Sequence, residues 1–237
     1  MQVARMGCSH PTRLSFLRQL LRRLKKENWS FDRPVWQINR QGVGYAVYRA
    51  QGPERCYCLV AFAHDLPEEM RSDRVIATAW DATFTLFDGT PSAADITRLE
   101  RNVPLQEAGR ISAKELSLSR ANRSVRLFEY VVKELAQGHQ PERSRLEQTG
   151  YLMRTTAVYG TGKFGAADRS TLVGRPEMQA PFQAEMLSVW LTRAFTIDLV
   201  EHLAAEQGGV QAVKLDPTLR RLLGCLLYTS PSPRDRG

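Results

Sequence analysis

An α+β fold follows from three features of the sequence. Apolar residues recur with period two between positions 34 and 88, they recur at helical spacing on either side, and the two patterns are segregated instead of alternating. Segregated runs build an antiparallel sheet with helices packed on it, whereas a parallel sheet would need a crossover helix after each strand. The expected architecture is an antiparallel sheet of about four strands over residues 34–88, packed with helices and preceded by a basic amphipathic N-terminal helix.

That first helix opens at Pro11. Leu14, Leu17, Leu21 and Leu24, joined by Leu20, form one apolar stripe, with Arg and Lys on the other faces. After Trp29 and Pro34 the period falls to two: Trp36 and Ile38, then Val43, Tyr45 and Val47, then a continuous apolar run from Cys56 to Ala63. Arg40-Gln41-Gly42 and Gln51-Gly52-Pro53-Glu54 are loops of the length that joins adjacent antiparallel strands. A fourth strand is expected over Arg74–Phe87, closed by Asp88-Gly89, and its length predicts a bulge near Asp81.

Beyond Pro91 the pattern reads as helical. Ser92–Arg101 is a short amphipathic segment. Ser112-x-x-Glu115 has the form of a capping box, with Ile111 and Leu116 at staple positions, and predicts a helix running to Gly138 through Leu116, Val125, Phe128, Val131, Val132 and Leu135. A second long helix is expected from Pro181 to Gly208, and Asp216-Pro217 has the N-cap and N1 form of a further helix. The chain thus divides into a basic amphipathic helix (1–33), an antiparallel β-meander (34–91) and a mainly helical segment (92–224) of the same α+β domain.

Residues 225–237 stand apart. Cys225-Leu-Leu-Tyr-Thr-Ser-Pro-Ser-Pro-Arg-Asp235 matches one reading frame through a transposase-end sequencing adapter, so the native part is expected to be Met1–Gly224, a truncated fragment of a longer gene. This changes the charge arithmetic. The 237 residues carry 33 basic and 25 acidic groups; without Arg234, Asp235 and Arg236 there remain 31 and 24, a net of +7. Six of those charges belong to residues 1–33, which hold eight basic groups against Glu27 and Asp32, so the rest of the chain is nearly neutral. Basicity therefore marks one helix, and nucleic acid is a possible but not a favoured partner.

A composition of 43% apolar and 24% charged residues excludes a disordered chain, and no apolar run approaches the roughly 18 residues that a membrane span requires. Cys8, Cys56 and Cys58 are sparse and odd in number, and Met1–Cys8 lacks a secretory signal, so the thiols are expected to be reduced and the protein cytoplasmic. Zinc is not expected, although Cys8-x-His10 and Cys56-x-Cys58 hold four competent ligands, because structural sites use wider knuckles.

The sharpest local motif is Gly160-Thr-Gly162-Lys163-Phe-Gly165. Glycines at this spacing let backbone amides approach a phosphate, and Lys163 adds a point charge. The context fits neither a dinucleotide fold, which needs a crossover helix after the loop, nor a Walker loop, which needs Ser or Thr where Phe164 stands. Arg120 and Arg123, on the expected helix rich in Ser and Arg, and Arg154, from the run before the loop, are cations able to grip a carboxylate or phosphate in two-point fashion. His64-Asp65 at a strand end is a further, isolated pointer.

No reaction follows from these residues, and whether the chain is an enzyme is left open. The leading expectation is a protein that binds an anionic small molecule, phosphorylated or carboxylate, through Gly160, Gly162, Lys163, Gly165, Arg120, Arg123 and Arg154. The alternatives are a binding module that applies its basic N-terminal helix to nucleic acid or an acidic partner, and a fragment whose functional site lies beyond residue 224.

Overall fold

The computed structural model describes residues 13–70, 79–101, 112, 114–149, 151–159 and 183–223. Its frame is an antiparallel sheet of six strands in sequence order, where the sequence predicted about four. Helix α1 (Arg13–Lys26) leads into β1 (Ser30–Ile38), β2 (Gly44–Gln51), β3 (Cys56–Ala63) and β4 (Ala82–Asp88). Next come α2 (Ala93–Arg101), β5 (Glu115–Arg123), α3 (Phe128–Ala136), α4 (Arg143–Thr149), β6 (Met153–Tyr159), α5 (Gln183–Gly208) and α6 (Pro217–Leu222).

The first four strands follow their alternation. Val35 faces Val47, Val47 faces Val60 and Val60 faces Thr85, so one register joins the loops expected at Gly42 and Gly52. Strand β1 starts earlier than its periodicity, at Ser30, and accommodates Pro34 through a bulge between Asp32 and Val35. A proline is tolerated there because, among the described residues, β1 is an edge strand with no neighbour to receive the missing N–H. Gly42 and Gly89 sit at φ +79° and +89°, the left-handed turns that their loops demand. The described part of the fourth strand begins at Ala82, residues 74–78 of the expected strand lie outside the described residues, and the bulge falls opposite Leu86–Phe87, not at Asp81.

The helix expected from Ser112 is a strand. Glu115 Oε2 does accept the Ser112 N–H at 2.5 Å, as in a capping box, yet the chain continues extended through Arg123. The reason lies in Leu116-Ser-Leu-Ser-Arg-Ala121, which alternates with period two, and in pairing on both sides with β4 and β6. Helix begins only at Phe128 and ends before Gly138, whose φ of +81° suits the predicted stop. The true reciprocal cap opens α2, where Asp95 N–H donates to Ser92 Oγ at 3.2 Å and Ser92 N–H donates to Asp95 Oδ2 at 3.0 Å.

The sheet divides the core into two layers. On one face Ala46, Leu59, Phe84 and Leu86 pack with Leu20, Leu21 and Leu24 of α1, Phe128, Val131 and Leu135 of α3, and α5. Helix α5 is largely buried over Met186–Ala204 because it is wedged between the sheet and the helices α1 and α3. Its Phe195 meets Phe84 edge-on at 5.5 Å and Tyr48 at 6.4 Å. On the opposite face Val47, Cys58, Val60, Phe62 and Phe87 pack beneath Leu99 of α2. Among the described residues no helix is long and apolar enough to cross a membrane.

Candidate functional site

Gly160, Gly162, Lys163 and Gly165 lie outside the described residues, as do Cys8 and His10. Arg120 and Arg123 stand on β5 instead of on a helix, Arg154 stands on β6, and alternation separates Arg123 from the other two. Arg120 faces the α2 side of the sheet, its guanidinium 4.2 Å from the Trp80 ring. Arg154 pairs with Asn122 across the two strands and shares that face. On the same side His64 Nε2 meets Thr83 Oγ1 at 3.0 Å, and burial pushes this imidazole below its ordinary range, with the Asp81 and Glu100 carboxylates opposing.

Arg123 is turned to the other face. It is 8% exposed, stacks on Phe128 at 4.6 Å, and sits 3.5 Å from Glu129 and 3.9 Å from Asp81. Asp81 is the hinge of this corner: its Oδ2 accepts the Arg123 backbone N–H, while its own N–H donates to Asn122 Oδ1. Arg120 and Arg154 are brought to one face, and Arg123 serves a buried polar lock beside them.

A different site forms where β1, β2, α5 and α6 meet. It is a cleft of about 310 Å³, walled by Phe31, Trp190, Leu191, Ala194, Ile197 and Pro217. Phe31 and Trp190 meet edge-on at 4.5 Å, which gives the wall a fixed aromatic corner. Local sequence rules place the polar groups. The Asp32–Val35 bulge lies where Asp32 and Arg33 of β1 reach the cleft, and the Asp216 cap with Pro217 at N1 starts α6 so that Arg220 lies one turn further along.

Asp198 of α5 is the centre of the polar part. Its Oδ2 accepts the Tyr48 hydroxyl at 2.7 Å and Arg33 Nη1 at 2.8 Å, and its Oδ1 faces Arg220 Nη2 at 3.4 Å. Burial first, and the Asp198 charge second, push the Tyr48 phenol well above its ordinary range, so the hydroxyl is a donor at neutral pH. Arg220 also reaches Glu201 Oε2 at 3.3 Å; burial raises the Glu201 carboxyl, and Arg220 with the Leu215 N–H opposes that rise. Asp32 is closed off by both oxygens on Arg49, at 2.9 and 2.6 Å.

Each carboxylate that lines this cleft is therefore engaged by an arginine. Each guanidinium carries five N–H groups. Arg33 spends Nη1 on Asp198 and lays its plane over Trp36 at 4.3 Å, and Arg220 spends Nη2 while its buried Nε has no acceptor. No family model, curated protein or solved structure matches this chain. Its chemistry rests on its own geometry.

The sequence analysis missed this site because Arg33 and Asp198 are 165 residues apart. One local signal was present: Asp198 is the single charge in the mostly apolar run Phe195-Thr-Ile-Asp-Leu-Val200, where a charge drawn from water requires a partner. As for metals, Cys56 and Cys58 share one face of β3, burial pushes the Cys58 thiol up to about 12, and no group of three or more His, Cys, Asp or Glu gathers among the described residues.

Proposed function

We propose that this chain binds an anionic small molecule, and that the cleft between β1, β2, α5 and α6 is where it does so. The observation that supports this reading is a pair of guanidiniums at one end of an apolar cleft: Asp32 is engaged by Arg49, Asp198 accepts from Tyr48, Arg33 and Arg220, and Arg33 and Arg220 each carry further N–H groups. A pocket with apolar walls and a few convergent polar groups orients a ligand by its head and holds it by its body. The free thiols of Cys56 and Cys58 are in keeping with a reducing, cytoplasmic setting.

Ligand-dependent stabilisation tests this reading. A panel of small aromatic anions, carboxylates and phosphates, is titrated against the whole chain and thermal unfolding is followed. At least one raises the midpoint in proportion to its concentration, and Arg33→Gln reduces that rise. If no anion in the panel shifts unfolding, the cleft is not a binding site.

A second reading keeps the chemistry and moves the place. Arg120 and Arg154, on one face of adjacent strands beside His64, are a pair of cations able to hold an anion together with the glycine motif Gly160–Gly165. Under that reading the stabilising anion is lost with Arg120→Gln or Arg154→Gln and survives Arg33→Gln.

A further inference from the structure

We infer that the ligand of the cleft is a small monocarboxylate with an apolar, aromatic-sized body, and not a phosphate ester. The inference rests on the cleft being the binding site and adds the class of molecule that fits it.

Size comes first. A volume of about 310 Å³ is close to the lower bound for ligand pockets. Phe31, Leu191, Ala194 and Ile197 offer this body carbon surfaces, and Trp190 adds an aromatic ring, so a largely apolar body suits the wall.

Charge comes second. Arg33 and Arg220 bring two positive charges to the head-group end, and Asp198 and Glu201 bring two carboxyl groups held on those same cations. A phosphate monoester carries a charge of about −1.5 to −2 at neutral pH, and two carboxylates already compete for the same guanidiniums. A carboxylate carries a single charge. Its two coplanar oxygens match the planar fork of a guanidinium, the geometry with which Asp32 already engages Arg49 through both oxygens.

Tyr48 completes the selection. Its hydroxyl proton is committed to Asp198, so the donors left to a ligand at the head-group end are the remaining N–H groups of Arg33 and Arg220. An ammonium head meets the like charge of both guanidiniums, and an alcohol accepts from them without the opposite charge that a carboxylate brings.

The experiment is calorimetric titration of the whole chain with four ligands that share a phenyl body: 3-phenylpropanoate, phenyl phosphate, 3-phenylpropan-1-ol and 3-phenylpropylamine. The carboxylate is expected to bind at least about tenfold more tightly than the other three, and Arg220→Met to weaken it by about tenfold or more. Because Arg220 also docks α6, Arg33→Gln on the edge strand is the second variant, and its secondary structure and unfolding midpoint are measured alongside. Ala194→Leu, which fills the wall without touching any charge, is expected to abolish binding of all four.

The outcomes separate the two levels. Tighter binding of phenyl phosphate, or equal binding of the alcohol, overturns the carboxylate assignment while binding that Ala194→Leu abolishes leaves the cleft in place. Binding that survives Ala194→Leu, or no binding by any of the four, overturns the cleft as the site and the assignment with it.

Discussion

Tyr48 and Asp198 meet at 2.7 Å across 150 residues of sequence, the hydroxyl of a sheet residue donating to the carboxylate of the central helix. This bond fastens α5 to β2 and orients the carboxylate that Arg33 and Arg220 share. Tyr48→Phe is expected to cost about 1–2 kcal/mol in urea unfolding, the range for a hydrogen bond to a charged group after partial compensation by the two guanidiniums. The same tyrosine links stability to alkaline pH. Its folded pKa lies above the unfolded value of about 10, so its contribution is whole below that pH and lost as pH rises beyond it. Ultraviolet tyrosinate titration of the native chain should lack one ionisation that appears on unfolding, and the Phe variant should remove that difference.

At the β4–β5 corner, Asn122 satisfies one buried and one half-buried backbone group at once, accepting from the Asp81 N–H at 2.8 Å and donating to the Ala79 carbonyl at 3.2 Å. Asn122→Ala orphans both, and a loss of about 2–4 kcal/mol is expected from two unsatisfied groups. Asn122→Asp keeps the acceptor, loses the donor and sets a second carboxylate beside Asp81. Its deficit relative to wild type should shrink as pH is lowered, and chemical unfolding at neutral and acid pH measures that difference.

Helices α3 and α5 touch backbone to backbone at Gly208, where an added Cβ would lie 2.0 Å from the Ala136 carbonyl oxygen. Gly208→Ala must therefore separate the helices, at a cost of about 1–3 kcal/mol. Gly209, next in sequence, has φ +55° with open space around its Cβ position, so Gly209→Asn should cost less than about 1 kcal/mol. Thermal unfolding of the two variants distinguishes close approach from backbone conformation.

Acid sensitivity should appear at the start of α2. Hydrogen bonds from the Ser92 hydroxyl and then the Ser92 backbone N–H hold the Asp95 carboxyl down to about 2. A depressed carboxyl contributes stability above its unfolded pKa of about 3.9, and that contribution disappears as pH falls towards 2. Asp95→Asn should unfold at a lower temperature at neutral pH and lose less than wild type between pH 4 and pH 2; calorimetry across that interval checks both.

Where the sequence was misleading, the cause is specific. Ser112 and Glu115 make the bond of a capping box, but four residues of end chemistry do not decide an element whose interior, Leu116 to Ala121, alternates with period two and is flanked by strands. Strand β6 escaped notice because Arg154-Thr-Thr-Ala-Val158 has no clean alternation to mark it; its partner β5 supplies its register. At the other extreme, Asp216-Pro217 needed no tertiary help, since Asp216 Oδ1 accepts the Thr218 N–H at 2.7 Å and Pro217 loses nothing by lacking its own.

By itself the sequence determined the α+β class, the first three strands and their turns, the C-terminal ends of α3 and α5, and the start of α6. Those depend on periodicity, glycine φ and capping, all interactions between residues within a few positions of one another. The tertiary structure alone decided the fifth and sixth strands, the separation of Arg123 from Arg120 and Arg154, and the meeting of Tyr48, Arg33 and Arg220 on Asp198. Those depend on which strands find neighbours and on contacts between residues as many as 165 positions apart, a distance at which no local pattern carries information.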